Sequence, residues 1–388
     1  MRLPIYLDSQ STTPVDPRVL EEMIPYFSDS YGNAASIDHN YGSEAANAVE
    51  TERQKIAQCF NARSDDIVFT SGATESNNIA ILGTMARNEN IGDHIVTCVT
   101  EHKSVLDTCK HLEAIGKRVT YVPVDEFGTI NLEKLENAIT DRTVLISVMV
   151  ANNEIGTIAP VEDIGEIARR HNVLFHTDAA QAAGHIPLNV ENMKADLVSI
   201  SAHKMYGPKG VGALYIRREN LAAKPFPLMF GGGHEKGVRS GTLNVPGIVG
   251  FGKAFEIAVE EMAREKVRYD KWVKQMLDVF QLKAEPVRQN GHPEKRLSHN
   301  LNVSFDQVEN KALIHVVAPK LAISTGSACT TLNVEPSHVI MALGFGPERA
   351  HNAVRIGFGR FNSEEEIEFA AGSIVSAVDK LRKIRIMR

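Results

Sequence analysis

Four stretches of this sequence each set a reactive side chain directly after an apolar, strand-like run. In SISAHKMYGPKGVG (199–212) that residue is Lys204. A lysine desolvated in a pocket loses its proton readily, and its amine can then join a carbonyl as a Schiff base. Lys209 competes for the role, but between Pro208 and Gly210 it reads as a solvated turn residue. In HTDAAQ (176–181), Asp178 ends a run that should be buried, where a carboxylate is costly unless it faces a cation or a protonated ring nitrogen. Gln181 could reach the same ligand, and a plain helix N-cap is the other reading of Asp178. In TEHKSV (100–105), His102 is either a cap or a flat imidazole that stacks on a planar group and moves protons near neutral pH. In FTSGATESNNIA (69–80), the backbone N–H groups of Gly72, Ala73 and Thr74, with the Thr74 hydroxyl, open a helix and offer an anion site. Capping by Ser71 or Thr74, with Glu75 complementing the dipole, is the alternative there.

A fifth residue stands apart. Cys329, in AISTGSACTTLNVEPSHVI (322–340), lies far from Cys59, Cys98 and Cys109, which sit inside apolar-periodic segments. Its neighbours Ser327, Ala328, Thr330 and Thr331 offer little apolar surface, although a packed free thiol remains an open reading. With no CxxC pair, neither a disulfide framework nor a metal site is expected.

The elements that must position these residues alternate in type. Strand-like runs at 66–70, 94–99, 118–124, 143–150, 173–178, 196–201 and 211–218 are separated by amphipathic patterns such as NLEKLENAI and VEDIGEIARRH. Such alternation predicts an α/β protein whose mostly parallel sheet is covered by helices on both faces, with ligands at the carboxyl ends of the strands. A long amphipathic helix follows Gly247 to about residue 280, then a surface loop, QNGHPEKRLSHN (289–300). A second, smaller α/β unit would have strands at 300–305, 320–325 and 353–359 and helices near 309–318, 336–343 and 363–384. All four constellations then fall at one edge of one sheet. Anion cradle, buried acid, amine and imidazole together describe a pyridoxal phosphate site. The phosphate would sit on 72–74, Asp178 would keep the pyridine nitrogen protonated, and Lys204 would hold the aldehyde.

The 388 residues exceed what one core usually serves, so two domains are expected. A net charge of −6 argues against stable nucleic-acid binding through a basic face. The basic end DKLRKIRIMR reads as dipole complementarity of a last helix. The start, MRLPIYLDSQSTTP, is too polar for a secretory leader, and no apolar run reaches membrane-spanning length, so a cytoplasmic protein without membrane contact is expected.

At these residues the chain resembles a cysteine desulfurase of the class V aminotransferase superfamily, in the branch serving iron–sulfur clusters and nitrogen fixation. The similarity runs through YLDSQSTTPVDP, SGATESNN, TEHKSVLDTC, NNEIG, HTDAAQ, SAHKMYGPKG, GGGHEKGVRSGT, STGSAC and VRIGFGR, in that order. It implies an aminotransferase-like α/β fold: a large pyridoxal phosphate domain (16–255), a small domain from both chain ends (1–15 and 256–388), and a homodimer. Lys204 matches the Schiff-base lysine, His102 the ring-stacking histidine, Asp178 the pyridine partner and Gln181 the neighbour of the ring oxygen. Thr74, Ser201 and His203, beside Ala73, match phosphate ligands, and Thr242 matches the threonine lent to the neighbouring subunit's phosphate. Asn153 and Arg355 match residues that orient the amino acid; without the family, a structural amide and a surface ion pair would be the plainer readings.

Cys329 matches the catalytic nucleophile, on a loop that 330–335 make the long type. The resemblance thus implies removal of sulfur from L-cysteine, giving L-alanine and a persulfide on Cys329, with His102, protonated in turn, helping to hold the thiolate. A sulfur-acceptor protein is the implied partner; iron–sulfur assembly, nitrogenase maturation, tRNA thiolation and DNA phosphorothioation all draw on such enzymes. Departures are Ser9, Gln10 and Ser11 in the entry arm, expected to leave the chemistry in place, Ala34 for the proline of GNPAS, and an end at Arg388 without the tail that docks a cluster scaffold. Another class V enzyme, an aminotransferase or selenocysteine lyase, would need Lys204 and Asp178 but not Cys329. A non-catalytic binding partner of the same fold is the reading from a different class.

Overall fold

A computed structural model describes residues 2–326 and 336–386. Twelve strands lie among them: β1 (Ile5–Tyr6), β2 (Ile67–Thr70), β3 (His94–Cys98), β4 (Arg118–Val122), β5 (Thr143–Ser147), β6 (Leu174–Asp178), β7 (Leu197–Ser201), β8 (Gly212–Ile216), β9 (Val287–Gln289), β10 (Asn300–Phe305), β11 (Leu321–Ala322) and β12 (Ala353–Gly357). Seven form one sheet in the order β2-β8-β7-β6-β5-β3-β4. Only β8 runs against its neighbours, β2 and β7, so β2 points the same way as the parallel set. The carboxyl ends of β2, β3, β5, β6 and β7 therefore share one edge.

Both faces of this sheet are covered, and the two-residue period of the strands shows how. Ile67 and Phe69 of β2, Val96 of β3 and Val198 and Ile200 of β7 join one apolar core. Their alternates Val68, Ile95 and Leu197 join another on the opposite face. The helix Lys103–Ala114 packs its Val105, Cys109 and Leu112 into the second core. Arg53 and Glu235 pin the GGGHEKGVRSGT segment under β2 through two bonds of 2.8 Å each, and Glu235 also accepts the Phe69 N–H.

The helix Val245–Lys283 links two cores. Its start is capped by Asn244, whose side chain accepts the Gly247 N–H, and Ile248, Phe251 and Phe255 pack beneath the large sheet. At 39 residues it is about 58 Å long. Its far half brings Tyr269, Trp272, Met276 and Phe280 into a separate core with Leu7, Leu301, Val354 and Ile374. Over that core lies the antiparallel sheet β12-β10-β9.

Two expectations are met only in part. The run at 320–325 is a strand for only two residues, which pair in parallel with β1, while Ser324 makes an isolated antiparallel bridge to Arg355 of β12. The polar stretch 289–300 is a surface loop only at Pro293, Glu294 and Lys295; Asn290, Leu297, His299 and Asn300 at its two ends are buried. Their polar atoms find partners, with Asn290 donating to Asn302 Oδ1 and Ser304 Oγ, so composition alone misplaces them. No helix among the described residues is long and apolar enough to cross a membrane.

Candidate active site

A cavity of about 730 Å³ opens at the shared strand edge, and its walls come from both ends of the chain. Ala73, Thr74, His102, Asn153, Asp178, Gln181, Ser201, His203, Lys204 and Arg355 all line it. Thr242 does not; it is exposed to solvent. Cys329 lies outside the described residues, but Gly326 and His338, on either side of them, line the cavity as well.

Lys204 ends a 3₁₀ turn directly after β7. Its Nζ donates to the backbone oxygens of Gln10 (2.5 Å) and Ser11 (2.7 Å). Burial, then the Arg355 charge, lower its pKa to about 8, against the pull of Asp8 and Asp178. Behind it, His185 Nε2 donates to the Lys204 carbonyl at 3.0 Å and its ring stacks 3.9 Å from that of His299.

Asp178, at the end of β6, accepts the Asn77 amide at 2.7 Å and the Ala180 N–H at 2.9 Å. It caps no regular helix. Gln181 donates to the same Gln10 oxygen that Lys204 reaches, at 3.0 Å. His203 is bonded to Thr12 Oγ1 at 3.1 Å, and burial, with Lys204 and Lys209 nearby, holds its pKa down at about 4. Lys209 is exposed, as its turn position suggested, yet it stands at the cavity rim.

The helix after β2 starts without either expected side-chain cap. Its N-cap is Gly72, which has φ +147° and no capping side chain. Glu75 instead folds back to accept the Ser71 N–H and is itself held by Arg239. A Cβ at position 72 would stand in ordinary contact, 3.6 Å from Ser201 Oγ, so it is the positive φ that calls for glycine there. His102 meets the capping reading, with Nδ1 accepting the Ser104 N–H at 3.1 Å at the start of the helix Lys103–Ala114, and it also lines the cavity.

Arg355, on β12, is paired but buried. Its Nη2 reaches Asp8 Oδ1 and Ser11 Oγ, each at 2.7 Å, and its Nη1 reaches the Asn153 carbonyl at 2.9 Å. The entry arm is thus part of the site. Backbone carbonyls do most of that work, and they carry no signal in a residue string.

Two buried acids escaped the sequence reading although both sit in quoted motifs. Glu101 accepts the Met149 N–H at 2.7 Å, and burial raises its pKa well above the usual carboxyl value. Glu154, in NNEIG, packs against Gly326, where φ is +87° and a Cβ would come within 2.5 Å of its Cγ. Burial lifts the Glu154 pKa to about 7, moderated by Ser337 and Arg355. An acid whose folded pKa is raised stabilises the fold below its unfolded pKa near 4.5 and loses that contribution as pH rises through about 7. Glu154→Gln should therefore unfold like the parent near pH 4 and gain about 3 kcal/mol on it by pH 8.5 in urea titrations. Equal differences at both pH values would refute the shift.

Residues 5–369 match the family model described as Aminotransferase class-V, and the chain belongs to that family. Within it the chain falls among the cysteine desulfurases. It is 48% identical over 384 residues to cysteine desulfurase IscS of Rickettsia africae (strain ESF-5), covering 99% of this chain and 93% of that protein. The IscS of Rickettsia prowazekii (strain Madrid E) is 49% identical over the same coverage. A solved NifS-like protein superposes with a TM-score of 0.90 at 38% identity, over 97% of this chain and all of the other. A structure described as SspA in complex with cysteine gives a TM-score of 0.80 at 37% identity, over 92% of this chain and 99% of that one.

Proposed function

We propose that the cavity holds pyridoxal 5′-phosphate and that the chain acts on L-cysteine as a desulfurase, moving its sulfur onto Cys329 and releasing L-alanine. The observation that carries this reading is the meeting of a lysine of lowered pKa with a buried carboxylate and a helix start, in one cavity. The donor set fits the cofactor. N–H groups at 73 and 74, the hydroxyls of Thr74 and Ser201 and the ring of His203 suit a phosphate, and the Gly72 cradle leaves room for it. Asp178 would keep a ring nitrogen protonated, Gln181 would face the ring oxygen, and His102 would lie against the ring face. When bound, this group draws electrons from the amino acid's α-carbon.

The chain's own residues supply the rest. Lys204 Nζ would hold the cofactor's aldehyde between turnovers and carry the α-proton during them. Arg355 would take the substrate carboxylate in place of part of its hold on Asp8, with Asn153 beside it. The Cys329 thiolate would attack the substrate sulfur; the S–S bond forms as the C–S bond breaks, the proton that the Cys329 thiol gave up is balanced by one taken by the β-carbon, and the α-proton carried by Lys204 returns to the α-carbon. Cysteine and thiol thus become alanine and persulfide with no outside oxidant.

Residues 16–255 would form the cofactor domain, and 1–15 with 256–388 the small one. A homodimer is supported by exposed apolar groups such as Ile24, Phe27 and Tyr31, and by Phe230, 87% exposed, ahead of Thr242, which would reach the partner's phosphate. A working thiol suits the reducing cytoplasm, where a carrier or scaffold protein would accept the sulfur. Incubation with pyridoxal phosphate, L-cysteine and a thiol reductant should yield alanine and sulfide in equal amounts. Formation of a keto acid instead would establish the aminotransferase alternative.

A further inference from the structure

Beneath the proposed cofactor face a chain of polar groups runs from Asp178 through Asn77 and Ser104, all buried, to His102, which is exposed to the open cavity. Asn77 is fully buried, and its amide spends both hydrogens on site residues: one goes to Asp178 Oδ2 at 2.7 Å, the other to Ser104 Oγ at 2.8 Å. Ser104 Oγ in turn lies 2.8 Å from His102 Nδ1. Because Asn77 donates to that oxygen, the hydroxyl's own hydrogen is left to point at the imidazole. The Ser104 backbone N–H points at the same Nδ1, at 3.1 Å. Two donors thus converge on one ring nitrogen, and a proton can occupy it only by expelling both.

We infer that Asn77 and Ser104 are positioning residues that lock His102 as a neutral imidazole with its proton on Nε2 and tie its setting to the carboxylate of Asp178. The inference rests on the function proposed above for its meaning, though not for its geometry. It departs from the expectation that His102 becomes an imidazolium to hold a thiolate. The charges around the ring do not reverse the lock. Asp178 and Asp107 favour protonation while Lys204 and Lys103 oppose it, His338 is a further basic neighbour, and desolvation by the cavity wall, the largest influence, lowers the ring's pKa even though one side of the residue is exposed. Glu101, next in sequence, is itself held towards its neutral form by burial.

The test is long-range ¹⁵N–¹H NMR of histidine-labelled protein without cofactor, followed through a pH titration. The parent should show His102 with an unprotonated Nδ1 and a midpoint below that of a free histidine. Ser104→Ala removes one donor and should raise the midpoint by at least about half a pH unit, roughly threefold in proton affinity. Ser104→Thr should restore it. Asn77→Ala frees the hydroxyl to turn and accept, so it should move the midpoint the same way. It should also weaken binding of added pyridoxal phosphate roughly tenfold, since Asp178 loses a donor, whereas Ser104→Ala, which leaves the Asn77–Asp178 bond in place, should weaken it less. A parent His102 protonated on Nδ1, or a midpoint that neither variant moves, overturns the inference. A parent that binds no pyridoxal phosphate overturns the functional reading and leaves the NMR result standing.

Discussion

Lys204→Ala should lower alanine formation from L-cysteine by at least about 10³-fold, the combined loss of a covalent anchor and a general base. The physical basis is the state of the amine. With its pKa near 8, about one Lys204 amine in four is neutral at pH 7.5, against about one in a thousand for an ordinary lysine. Burial sets that value, and the Gln10 and Ser11 carbonyls hold the nitrogen at the cavity wall. Borohydride treatment should fix the cofactor onto the Lys204 peptide of the parent, detected as an added mass, and leave the variant unlabelled. Retention of turnover within tenfold, or label on Lys209 instead, would remove Lys204 from the mechanism. Lys204→Arg should fail equally, since a guanidinium stays charged.

Cys329→Ala should abolish sulfide release, by at least about 10²-fold, while cofactor binding stays at the parent level. Elimination supports the choice of thiol. Burial pushes the pKa of Cys98 and of Cys109 up to about 12, and that of Cys59, with help from Glu256, to about 11. At neutral pH fewer than about one in a thousand of any of these is a thiolate. The fourth cysteine of the chain is Cys329. Brief treatment with iodoacetamide should modify it first and stop turnover in proportion. A Cys329→Ala protein that still releases sulfide at the parent rate would rule out a persulfide there and leave a lyase mechanism standing.

The sheet was legible because its cause is local. Each strand alternates or runs apolar over four or five residues, and the helices between keep a three-to-four spacing, so element type and the shared strand edge follow from periodicity. The reactive residues at strand ends were legible for the same reason: Lys204, Asp178 and His102 follow apolar runs directly. Illegible were contacts that join residues far apart in the chain. Leu321–Ala322 is a strand only because Ile5–Tyr6 lies beside it. The two ends of the 289–300 stretch are buried only because Asn302, Ser304 and the Gly156 turn meet their polar groups.

The division runs through the cavity itself. Residue order alone settled which side chains carry charge or a nucleophile and which strand ends present them, since both depend on neighbours in the chain. The fold decided their chemical state. It turned the Lys204 amine towards neutrality, set two donors against one nitrogen of His102, and paired Arg355 with Asp8 from the opposite end of the chain. Those outcomes depend on desolvation and on partners hundreds of residues away, quantities that exist only once the chain has closed on itself.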